Sequence, residues 1–124
     1  MVLYNPDFDM TKKTLSSLGS QADQICVVDN SPSDHSEVLS GYESVEYKPL
    51  LKNIGIAAAQ NIGIPYFNDL GDDFVLFSDQ DSIASEKVVD KLLENYQALP
   101  EASIKVGAVG TRAINRQTGL PYVA

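Results

Sequence analysis

The run Phe74-Val75-Leu76-Phe77-Ser78, followed at once by Asp79-Gln80-Asp81, constrains the fold of this 124-residue chain more than any other stretch. A short unbroken apolar run rich in Phe and Val reads as a strand covered on both faces, the environment of a parallel sheet. Side chains two positions apart on an extended chain share a face, so Asp79 and Asp81 are expected to point at one spot just past the strand. Open α/β sheets hold their ligands beyond the carboxyl ends of their strands. Two carboxylates gathered there repel unless a cation lies between them, and a hard divalent ion is the simplest candidate.

The remainder of the chain alternates in a way that supports such a sheet. Val2 to Tyr4 reads as a strand stopped by Asn5-Pro6. Asp9 is placed to cap a helix running to about Leu18, with Met10, Leu15 and Leu18 as its apolar face and Gly19 closing it. Ile25 to Val28 is a second buried strand ending at Asp29-Asn30, Ser36 to Leu39 a helical turn, and Val45 to Tyr47 a third strand. Asn53 opens a helical segment rich in small residues whose second half Gly63 and Pro65 are expected to disturb. Ser85 is placed to cap a helix to about Ala98, with an inward stripe of Val88, Val89, Leu92, Leu93 and Tyr96 and a stop at Pro100. Val106 to Val109 reads as a last strand. The order predicts an α/β domain over residues 1–124, a mostly parallel Rossmann-like sheet with helices on both faces and no internal linker.

Charge narrows the ligand class. With nine Lys plus Arg against 17 Asp plus Glu, the formal net charge is -8, which disfavours nucleic acid bound through its phosphates. An anionic ligand then needs a mediating cation. Cys26, the single cysteine, lies in an apolar run and reads as core packing in a reducing compartment. No run of about 18 apolar residues and no basic leader is present, so the expectation is a cytoplasmic protein.

Polar residues follow three of the expected strands: Tyr4-Asn5, Asp29-Asn30 and Asp79-Gln80-Asp81. Asn53 and Gly55 open a helix nearby, where glycine allows close backbone approach and a helix N-terminus attracts phosphate. Plainer readings compete. Asp29 also suits a turn bonding its own backbone, the acidic triplet a solvated capping cluster with Ser82 and Ser85, and Asn53 a simple cap. Lys48 and Lys52 are possible phosphate anchors or plain surface, and His35 lacks the neighbours of a metal site.

Four segments in this order resemble the family 2 glycosyltransferases of the glycosyltransferase A fold, and among them the bacterial rhamnosyltransferases. They are Val-Leu-Tyr-Asn-Pro at 2–6, Val-Val-Asp-Asn-Ser at 27–31, Asn-Ile-Gly-Ile-Ala-Ala-Ala-Gln-Asn-Ile-Gly-Ile at 53–64, and Leu-Phe-Ser-Asp-Gln-Asp-Ser at 76–82. The resemblance covers the nucleotide-binding half of that catalytic domain, so the chain is expected to be truncated at its C-terminus. It implies that Tyr4, Asn5, Asn53, Gly55, Asn61 and Gln80 serve nucleotide binding and that Asp29 bonds the pyrimidine base. Asp79 would lie near ribose and metal, while Asp81 would ligate the Mg²⁺ or Mn²⁺ bridging the diphosphate.

The implied activity is inverting transfer of a sugar, rhamnose by the branch, in cell-surface polysaccharide synthesis. The donor would be TDP-rhamnose or a UDP-sugar and the acceptor a saccharide or lipid-linked sugar, met at the inner face of the plasma membrane. No residue here fits the family's catalytic base, which is expected outside this chain. Truncation would bare apolar surface and favour self-association. Two alternatives stand beside this one: a haloacid-dehalogenase-like phosphatase using Asp79 and Asp81, and a non-catalytic acidic binding module.

Overall fold

Ile25–Asp29, strand β2, has all five residues buried, as an unbroken apolar run in mid-sheet requires. It pairs in parallel with β1 (Val2–Leu3) on one side and β3 (Val45–Pro49) on the other. The register sets Leu3 opposite Asp29 and Asp29 opposite Pro49, so the strands end together. The structure, a computed structural model, describes residues 1–99 and 105–122. These form two compact units, Met1–Ala84 and Ser85–Ala124.

In the first unit, alternation along β2 divides the core between two faces. Ile25 and Val27 pack with Leu3 and Leu39 against Leu15 and Leu18 of α1 (Phe8–Gly19). Cys26 and Val28 face the other way, toward Ala59 of α3 (Ile56–Leu70), with Tyr66 and Phe67 partly buried beside them. Helices thus cover both faces of the parallel sheet, as expected. The short helix α2 (Ser36–Leu39) adds Leu39 to the first cluster.

Several local expectations are corrected. The cap of α1 is Asp7, not Asp9: Asp7 Oδ1 accepts the N–H groups of Asp9 at 3.0 Å and Met10 at 3.4 Å. Asp9 sits in the first turn instead, where its charge suits the helix dipole. Nor does α3 break at Gly63 and Pro65. Pro65 forgoes only the bond its own nitrogen would give to Asn61, on an exposed stretch that water can satisfy. Gly63 is buried where a Cβ would stand 3.3 Å from Val28 Cγ2, so glycine there brings the helix close to β2. The helix ends at Gly71, whose φ of 81° suits its left-handed cap.

The largest correction concerns 74–78, which joins no strand. Phe74, Leu76 and Phe77 are 54, 41 and 53 % exposed, so the run is not sandwiched. The edge strand β1 is only two residues long and offers little length to extend a ladder. Among the described residues the sheet therefore has three strands.

The second unit contains α4 (Val88–Gln97), begun at Lys87 rather than capped by Ser85, whose carbonyl accepts the Val88 N–H in a preceding turn. Its expected stripe of Val88, Val89, Leu92, Leu93 and Tyr96 is half-buried while the other side is exposed. Pro100, the expected stop, lies outside the described residues. Val106 to Val109 is not a strand: glycines at 107 and 110 weaken it. The tail instead bridges Ile114 and Pro121 in antiparallel fashion around a turn held by Asn115. Among the described residues no helix is long and apolar enough to cross a membrane.

Candidate active site

The common C-terminal edge of β1 and β2 carries two connected groups of polar residues. The first surrounds Asp29, the last residue of β2, which is 1 % exposed. Its Oδ1 accepts the Ser31 N–H at 2.9 Å, and its Oδ2 accepts the Tyr47 hydroxyl at 2.8 Å and His35 Nδ1 at 2.6 Å. An ionised carboxylate can only accept, so His35 carries its proton on Nδ1. Burial pushes the Asp29 carboxyl up, but the hydrogen bonds from Ser31, His35 and Tyr47 outweigh it and hold the group below its ordinary value. Burial and the adjoining Asp29 push the Tyr47 phenol well above its own ordinary value, although the His35 N–H bond acts in the opposite direction. That N–H donates to the Tyr47 oxygen at 2.8 Å, and the His35 ring meets Phe8 edge-on at 4.9 Å. Ser31 Oγ in turn accepts the Asn5 N–H at 2.9 Å. Two loops and strand β3 are thereby tied to one buried charge.

The second group lines a cavity of about 490 Å³ at the same edge. Asn30 holds one wall: its Nδ2 donates to Asn53 Oδ1 at 3.0 Å, and its Oδ1 accepts the Ile54 N–H at 2.9 Å. Asn53 Oδ1 also accepts the Gly55 N–H at 2.9 Å, setting the entry to α3. Gly55 has φ 88° and ψ 152°, a conformation open in practice to glycine alone. Asp79, Gln80 and Asp81 also line this cavity. Gln80 pairs with the main chain of Tyr4, accepting its N–H at 2.8 Å and donating to its carbonyl at 3.3 Å.

Tyr4, Asn53, Gly55, Asp79, Gln80 and Asp81 thus line one cavity together with Asn30, Gln60 and Phe77. Asn5, Asp29 and Asn61 are not on its wall: Asn5, in a left-handed conformation at φ 44°, gives its N–H to Ser31, Asp29 is buried, and Asn61 is exposed on α3. Asp79 and Asp81 are exposed, so water screens their repulsion, and burial gives no argument for a cation between them. Their donor chemistry does. Among the described residues no cluster of three or more acidic, His or Cys side chains forms a protein cage for a metal. Two carboxylates on an open wall suit instead a Mg²⁺-type ion shared with substrate phosphates. Lys48 is not positioned as a phosphate anchor: its Nζ pairs with Glu46 at 3.1 Å and lies over the Tyr66 ring.

Sequence reasoning missed the parts played by His35, Tyr47 and Asn30. A lone histidine six residues after a strand-end Asp has no pattern of its own, and Tyr47 reads only as a strand residue. Their link to Asp29 depends on the loop's path. Asn30 carried a signal, being the second polar residue at the end of a buried strand.

The chain belongs to glycosyl transferase family 2, whose model matches residues 1–122. It is similar to the dTDP-rhamnosyl transferase RfbF of Shigella flexneri, with 36% identity over 93 residues, covering 74% of this chain and 31% of that protein. The chain accordingly spans about a third of the length of this curated relative. No solved structure gives a significant match. Family membership displaces the phosphatase reading of Asp79 and Asp81.

Proposed function

We propose that this chain is the donor-binding half of a metal-dependent, inverting rhamnosyltransferase that uses TDP-rhamnose. The reading rests on the convergence of Tyr4, Asn53, Gly55, Asp79, Gln80 and Asp81 on one cavity at the end of a parallel sheet. Family membership supports transfer from a nucleotide sugar, and similarity to a dTDP-rhamnosyl transferase supports the choice of sugar. The acceptor in this proposal is a saccharide or lipid-linked sugar of a cell-surface polysaccharide, reached from the cytoplasm.

In glycosyl transfer the acceptor hydroxyl attacks the anomeric carbon, the bond to the diphosphate breaks, and negative charge builds on the leaving phosphate. Bound Mg²⁺ or Mn²⁺ would offset that charge. Asp79 and Asp81 would hold the ion at the cavity wall. Gly55, at the start of α3, leaves the helix N-terminus uncovered by a side chain, and that end favours an anion. Tyr4, about half exposed, offers a ring to the nucleotide. Asp29 reaches the ligand only indirectly in this account, by fixing the loop from which Asn30 holds Asn53.

Among the described residues no Asp, Glu or His other than Asp79 and Asp81 lines the cavity. With the chain spanning about a third of its relative's length, this proposal assigns the base that takes the acceptor's proton to sequence outside these 124 residues. General-base assistance contributes typically about 10²–10⁴-fold, so the chain is expected to bind donor without transferring sugar efficiently. Incubation with TDP-rhamnose, Mn²⁺ and a lipid-linked saccharide acceptor tests this. Retention of TDP-rhamnose with transfer at least about a hundredfold slower than by a longer, base-containing form supports the proposal. Transfer at the longer form's rate would put the base within Met1 to Ala124, and failure to retain the donor would reject the site.

A further inference from the structure

We propose that Gln80 is a positioning residue, a clamp that fixes the acidic pair to the sheet by pairing its amide with the main chain of Tyr4. The functional part of this inference rests on the donor-site reading above. The two partners lie 76 positions apart in the chain. Gln80 Oε1 accepts the Tyr4 N–H at 2.8 Å while Nε2 donates to the Tyr4 carbonyl at 3.3 Å. One donor and one acceptor on each side reproduce the exchange that paired residues make in a β-ladder. Tyr4 is the residue just beyond β1, which among the described residues pairs only with β2, so its main-chain groups lie along the sheet's open edge.

Residues 74–79 join no strand, and Phe74, Leu76 and Phe77 are all more than two-fifths exposed. Asp79 and Asp81 flank Gln80 directly, and all three line the cavity with Tyr4. Confining two exposed carboxylates before a cation arrives lowers the ordering cost that binding must otherwise meet. The side-chain chemistry is specific. Alanine removes both bonds, asparagine is one methylene short, and glutamate still accepts from Tyr4 but no longer donates.

The test uses Gln80→Ala, Gln80→Asn and Gln80→Glu, with the exchange of the Tyr4 amide with water followed by NMR in ligand-free protein. The clamp predicts exchange about fivefold faster in the Ala and Asn variants, as expected for one net hydrogen bond, and a near-native rate in the Glu variant. Affinity for TDP is then measured with and without Mn²⁺. A positioning role predicts that Gln80→Ala loses TDP affinity by a larger factor with Mn²⁺ than without it, so that most of the Mn²⁺-dependent gain disappears. Unchanged Tyr4 exchange in Gln80→Ala would overturn the clamp. So would TDP affinity falling by the same factor in both conditions, since that marks direct contact with the nucleotide. Absence of a Mn²⁺ effect in the wild-type chain would instead reject the donor-site reading, while the exchange rates would still decide for or against the clamp.

Discussion

Asp29 shows how one buried charge organises the ligand edge of the sheet. Two carboxylate oxygens accept from Ser31, His35 and Tyr47, so removing the carboxylate orphans three donors in a site 1 % exposed. Asp29→Ala is expected to cost about 3 kcal/mol, measured by urea unfolding near neutral pH, because unsatisfied buried groups carry their full desolvation penalty. A loss below about 0.5 kcal/mol, the range of ordinary surface changes, would contradict the network. The pH dependence has a definite sign. The folded state holds this carboxyl below its ordinary value of 3.8, so it binds that proton less tightly than the unfolded chain. Its contribution is complete above the ordinary value and is lost as pH falls below 3.8 through the folded-state value. The urea midpoint of the wild-type chain should therefore fall more steeply below that point than that of Asp29→Ala.

At the scale of elements, α3 lies close to β2 because glycine occupies position 63. A branched side chain there would press on Val28 Cγ2, 3.3 Å from the position of a Cβ, and on Cys26 Sγ at 3.6 Å. Gly63→Val is expected to destabilise the chain by about 1–3 kcal/mol in urea unfolding, the usual cost of overpacking. A neutral result would contradict the close packing. The same helix marks the limit of what could be read from residue types alone. Its beginning, expected at Asn53 and observed at the Gly55 cap, and the three parallel strands were largely legible, because buried strands show as short apolar runs and the turns between them carry Asn, Asp and Pro. Its passage through Pro65 was not, since whether the freed Asn61 carbonyl matters depends on its exposure. The run 74–78 misled in the opposite direction. Its composition asks for burial on both sides, but a strand also needs an edge to pair with, and β1 supplies only Val2 and Leu3. Six of the residues singled out at strand ends and helix starts line the cavity. Asn5, Asp29 and Asn61 were displaced from it by details of backbone path and burial.

For the molecule as a whole, the acidic balance and the two cavity carboxylates make one prediction about partners. With a formal net charge of -8, a nucleoside diphosphate should depend on a cation to offset repulsion from Asp79 and Asp81. The most direct test is thermal unfolding of the wild-type chain and Asp81→Asn with TDP, with Mn²⁺, with both and with neither. TDP should raise the wild-type Tm more with Mn²⁺ than the separate effects together allow, approaching about 2.7 kcal/mol of added stability at 100 times the dissociation constant. Asp81→Asn should unfold near the wild-type temperature without ligand and lose most of that joint effect. Equal shifts from TDP in the presence and absence of Mn²⁺ in the wild-type chain would contradict a metal-dependent donor site at the Asp79–Asp81 wall.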